Sequence, residues 1–169
     1  MLHDSKSQSW AALLDGVKCR TDLSGPIKDL VVAARQAIEK GIMRRVHSMA
    51  ELGRHRTHLD QAYLDNHPDE DRETSEMYLL SMSDFFLCRD LAEELPLVAS
   101  AYRLSGDPLF LDHASAQLQE MTSWSPLQRK MGDAWGVFDV WLATGTGIRA
   151  IHDTLEILPA NAQIGRAHV

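Results

Sequence analysis

Apolar residues recur along much of this chain at the three-and-four spacing of an amphipathic helix. Leu87, Leu91, Leu95, Val98 and Tyr102 keep that rhythm, and Leu111, Ala114, Leu118 and Met121 keep it again. Between the two runs stands Tyr102-Arg103-Leu104-Ser105-Gly106-Asp107-Pro108. Gly106 suits the left-handed residue that ends a helix, Asp107 the next N-cap, and Pro108 a first helical position, where a missing N–H costs nothing. Two apolar stripes joined by so short a turn predict an antiparallel helical hairpin. Pro96 falls inside the first of these helices, where it removes a backbone donor and crowds the carbonyl of Ala92, so a kink is expected there.

The same rhythm marks a late helix through Trp141, Thr144, Ile148, Ile151, Leu155 and Leu158, stopped by Pro159 and carrying Arg149, Asp153 and Glu156 on its other face. An apolar flank around Ile151, Leu155 and Leu158 is expected to lie open. Near the N-terminus, Pro26 opens a stripe of Ile27, Leu30, Val31, Ala34 and Ile38 that Gly41 can close, and a shorter amphipathic piece, Trp10 to Val17, precedes it. The charge-dense stretch from Arg44 to Glu73 reads as a broken helix around Ala50 to Leu64 and a loop from Asp65 to Arg72. Thr74 then caps a helix through Met77, Leu80 and Phe85.

Nowhere do apolar and polar residues alternate over four to eight positions between turn signals, as half-buried strands require. The expectation is an all-α chain of six or seven helices in antiparallel hairpins. No period near 34 or 40 residues marks a regular solenoid.

The 169 residues, 44% apolar and 24% charged, suit one domain with a real core. A net charge of −7 opposes a phosphate backbone, so nucleic acid is not an expected partner. No apolar run reaches the roughly 18 residues of a membrane span, because Asp90, Glu93 and Glu94 interrupt the richest stretch, so no membrane partner is expected. Cys19 and Cys88 form neither a C-x-x-C pair nor a disulfide framework, and the start lacks a basic region followed by an apolar one. The compartment stays open: cytoplasm if Met1 is the true start, periplasm or exterior otherwise.

Several motifs offer chemistry at first sight. Gly145-Thr146-Gly147-Ile148-Arg149-Ala150 has the G-x-G-x-x-A form of a dinucleotide fingerprint, but the stripe of the late helix runs through both glycines without a phase break and no βαβ unit surrounds them. Helix packing is the preferred reading. His55, His58 and Asp60 have a spacing that could share a metal, yet Arg44, Arg45, Arg54 and Arg56 disfavour a cation, so a solvated surface is expected and no metal or cofactor is assigned. Glu93-Glu94 and Asp69-Glu70-Asp71 read as solvated faces rather than acid and base pairs. No G-x-S-x-G elbow occurs, so no catalytic residue is assigned.

Trp124, Trp135 and Trp141 are more informative, since Trp124-Ser125-Pro126-Leu127-Gln128-Arg129-Lys130 joins aromatic surface to positive charge. Indole rings stack on sugar faces and Arg129 could pair with a carboxylate, which points to an acidic polysaccharide or oligosaccharide as ligand. Core packing is the other reading, stronger for Trp141 than for Trp124 and Trp135. The run from Arg89 to Pro108, RDLAEELPLVASAYRLSGDP, followed by Trp124 to Arg129, WSPLQR, and Trp141 to Gly145, WLATG, resembles the early helices of heparinase II/III-like polysaccharide lyases over about half of the chain.

That resemblance implies that residues 1–163 are the N-terminal part of a truncated α/α toroid, in an enzyme that cleaves uronic-acid-containing polysaccharides by β-elimination. Their aromatic and basic chemistry makes Trp124, Arg129, Trp135 and Trp141 the candidate substrate-binding residues, and the resemblance places the proton-transfer groups in later helices and a β domain, so that the missing C-terminal half of the chain would be its partner. Two other readings compete: a tetratricopeptide-like α-helical module for protein interaction, and a sugar-binding helical domain without chemistry of its own. The last six residues, Ile164-Gly165-Arg166-Ala167-His168-Val169, are what one frame of the sequencing adapter ATCGGAAGAGCACACGTC encodes. The natural frame is therefore expected to continue differently beyond Gln163, and residues 164–169 to be an artefact outside the fold.

Overall fold

The computed structural model describes residues 9–52, 65–66, 68, 72–124 and 138–159, with side chains throughout these except at 72–74 and 138–143. The described residues form α1 (Trp10–Lys18), a short 3-10 turn (Thr21–Leu23), α2 (Ser24–Glu39), α3 (Met49–Leu52), α4 (Arg72–Ser105), α5 (Pro108–Thr122) and α6 (Phe138–Ile157). No strand occurs among them, so the fold is all-α. No helix among the described residues is long and apolar enough to cross a membrane.

The long helix α4 is the axis of the molecule, with α6, α2, α5, α1 and α3 packed against it. Its 34 residues span about 50 Å at 1.5 Å per residue. Two expected helices, one opening at Thr74 and one through Leu87 to Tyr102, are thus a single element that begins at Arg72 and continues through Pro96. Along it Leu91, Leu95 and Val98 are 0 to 2% exposed, while Leu87 and Tyr102 lie partly buried at the margin of the core.

The α4–α5 hairpin forms as the turn chemistry dictates. Gly106 takes φ 74°, a left-handed value that favours glycine, and its N–H donates to the carbonyl of Tyr102 at 2.7 Å. Asp107 caps α5 through an Oδ1 that accepts from Leu109 N–H at 3.1 Å, with Pro108 at the first helical position. Gly41 at φ 81° closes α2 likewise, its N–H donating to Ile38 at 3.0 Å. α2 begins at Ser24, two residues before Pro26, and α1 is capped by Ser9, whose Oγ accepts from Ala12 N–H.

α6 departs from expectation in its rotation. The large apolar residues Ile148 and Leu155 are 52% and 48% exposed, Ile151 is partly buried, and the face turned to the core carries buried Gly147, Ala150, Thr154 and Ile157. The stripe is displaced by one residue, or about 100° of helix. Close approach to α4 is the cause near Cys88, where a Cβ on Gly147 would lie 3.1 Å from Sγ and small side chains mark the buried face. Past the approach, Ile157 and Leu158 are buried at 4%, so Leu158 does not lie open as expected. A Cβ on Gly145 would meet nothing within 4 Å. Gly145→Ala is therefore expected to raise stability by about 0.5–1 kcal/mol, and Gly147→Ala to forfeit that gain against the thiol, as urea unfolding of the two variants would show.

Candidate functional site

Once Gly41 has ended α2, residues 41–47 run non-helically toward α3, and their polar groups need partners. Gln117, 1% exposed on α5, supplies two at once: its Nε2 donates to Met43 O at 2.9 Å and its Oε1 accepts from Met43 N–H at 2.8 Å. Gln117→Leu keeps the volume but orphans both backbone groups, so a loss of about 2–3 kcal/mol is expected in denaturant unfolding.

Two residues further on, Arg45 is only 5% exposed and forks onto Asp84 of α4, with Nε 3.2 and 3.1 Å from the two carboxylate oxygens and Nη2 2.7 Å from Oδ2. The guanidinium carbon also lies 5.7 Å from the centre of the Trp124 ring, just past the end of α5. One segment is thereby tied to two helices by a buried charged group. Around the pair, Trp124 Nε1 and Ser81 Oγ are buried without a hydrogen-bond partner among the described residues.

Cys88 lies one helical turn beyond Asp84 and is 5% exposed. Burial, reinforced by the Asp84 carboxylate and opposed by Arg45, pushes its pKa up to about 11. The thiol therefore stays protonated at neutral pH and is no nucleophile there. Its folded pKa lies above the unfolded one, so the stability it contributes is intact below about pH 8.5 and declines as pH rises toward about 11. Cys19, by contrast, is exposed. A disulfide-exchange reagent at pH 8 should label one thiol quickly and the second only at the rate of unfolding.

Of the residues expected to bind substrate, Trp124 is described and is 7% exposed, its ring turned into the core beneath Arg45. At that exposure Trp124 is part of the core rather than an open face. Arg129 and Trp135 lie outside the described residues. Trp141 falls on α6 with its side chain likewise outside them. So do His55, His58, Asp60 and the tail 164–169. Among the described residues no group of three or more His, Cys, Asp or Glu could hold a metal ion. Gly145 and Gly147 sit within α6, so the fingerprint-like run is helix rather than a phosphate loop.

Arg45, Asp84 and Gln117 escape a reading of the sequence because no local period links positions 39 or 74 residues apart. Arg45 sits among arginines that look solvated, and Gln117 interrupts no pattern. The one available signal was Gln117's place on the apolar side of its helix, between Ala114 and Leu118. Comparison with family models, with curated proteins and with solved structures finds no match for the chain.

Proposed function

We propose that the chain is the N-terminal helical part of a polysaccharide lyase of the heparinase II/III-like kind, an arc of an α/α toroid that helps to bind an acidic polysaccharide and does no chemistry alone. What supports the reading is the hairpin of α4 and α5, which folds about the Tyr102–Pro108 turn in the stretch that carries the resemblance. In this reading Arg129 neutralises a uronate carboxylate, Trp135 is the stacking platform, and Trp124 packs in the core beneath Arg45. Elimination also needs a base for the C5 proton and an acid for the leaving oxygen, which the reading places on chain beyond these residues.

The test is to recover the gene beyond Gln163, express the longer protein, and follow the ultraviolet absorbance of unsaturated product on alginate, heparin-like and hyaluronan-like substrates. Activity that drops at least about tenfold in kcat/KM in both Arg129→Ala and Trp135→Ala is the expected result. No absorbance gain with any substrate would remove the lyase reading; activity indifferent to both variants would remove the site assignment alone.

One observation favours the tetratricopeptide-like reading, in which a helical surface binds protein. α6 presents Ile148 and Leu155 to solvent on one side of the helix.

A further inference from the structure

The outer face of α6 carries two parallel rows. One holds Ile148 and Leu155, seven residues and about two turns apart, preceded by exposed Gly145. The other holds Arg149 and Glu156, again seven apart, with side chains 72% and 42% exposed. His152 stands midway along both, its side chain 64% exposed.

We infer that this face binds the same face of a second copy of this chain, the two α6 helices meeting antiparallel about a two-fold axis at the level of His152. A two-fold contact demands a surface complementary to itself, and this one is. Reversal about His152 sets Ile148 beside Leu155 of the second copy and Arg149 beside its Glu156, each contact occurring twice. An axis perpendicular to both helices keeps each flank on its own side, so the apolar row meets apolar and the charged row meets charged. Gly145, with nothing within 4 Å of its missing Cβ, leaves room for the approach.

Within one chain Arg149 pairs with Asp153 at 3.6 Å and His152 with Glu156 at 3.8 Å. These are exposed pairs worth a few tenths of a kcal/mol, which leaves the longer reach to the second copy open. One helix crossing buries less than the roughly 1,200 Å² of a stable complex, so the dimer is weak, with a Kd on the order of tens of micromolar. The inference does not depend on the polysaccharide reading.

Sedimentation equilibrium of the full chain from about 5 to about 500 micromolar tests it, and should show reversible monomer and dimer. Arg149→Glu alone and Glu156→Arg alone should each raise Kd about tenfold, and the double reversal should restore it to within about threefold, because the symmetric pairs are remade with opposite sign. Leu155→Lys should leave only monomer, with an unchanged circular dichroism spectrum confirming the fold. A chain that stays monomeric throughout, a dimer indifferent to the single reversals, a double variant no better than the singles, or open-ended association beyond dimer would each overturn it.

Discussion

Arg45→Ala and Asp84→Ala should each lower the free energy of unfolding by about 3–5 kcal/mol, the loss expected when one member of a buried ion pair is removed. The remaining partner has little access to water. Asp84 has a side chain 12% exposed and Arg45 one of 4%, so neither variant can relax by solvating the survivor without opening the segment from Gly41 to Ser48 away from α4. The Arg45 variant also removes the cation above Trp124, an additional contribution of about 1 kcal/mol for a desolvated contact. Replacing both partners by apolar residues of similar volume, Arg45→Met with Asp84→Leu, should recover most of the loss, because the cost lies in desolvated charge rather than in missing attraction. Urea unfolding of the two single variants and the double variant closes the cycle. A double variant as unstable as the sum of the singles would mean that the fork holds the fold by geometry, through Trp124, instead.

Such a pair shows where the sequence is legible and where it is not. The turn Gly106-Asp107-Pro108 is readable because every requirement in it is local: a left-handed residue, a cap and a restricted φ all lie within three positions. The core stripe of α4 is readable for a related reason, since Leu91, Leu95 and Val98 pack in the periodicity that the helix itself imposes. α6 misleads because Ile148 and Leu155 face solvent while Gly147 faces Cys88; side-chain size reports burial only when neighbouring helices stand at ordinary distance. The Arg45–Asp84 fork is invisible for a third reason, as the attraction joins residues 39 apart and the sequence around Arg45 is as charged as any solvated surface. Trp124 reads equally as core or as ligand platform, because the groups that bury it come from other elements.

Phe110→Ala should be the most damaging apolar truncation in the described core, at about 3–5 kcal/mol, because Phe110 opens the buried stripe of its own helix, one turn before Ala114. It is 0% exposed and sits in the first turn of α5, directly after the cap formed by Asp107. Its ring faces Arg35 of α2 at 5.7 Å, and Arg35 reaches on to Asp107 at 2.8 Å, so one side chain fills the junction at which α2 meets the hairpin. Removing the ring leaves a cavity at a place where the backbone is fixed by Gly106 and Pro108 and has little freedom to collapse. The neighbouring Leu109 provides the control: it is 47% exposed, and Leu109→Ala should move stability by no more than about 0.5 kcal/mol. Arg35→Ala separates the ring's burial from its cation contact, with an expected loss of about 0.5–1 kcal/mol for a half-exposed guanidinium. Phe110→Leu, which retains most of the volume, should recover more than half of the alanine loss. If Phe110→Ala and Leu109→Ala proved equally mild, the junction would be held by the Arg35–Asp107 pair rather than by packing, and Arg35→Ala would then have to be the costly change.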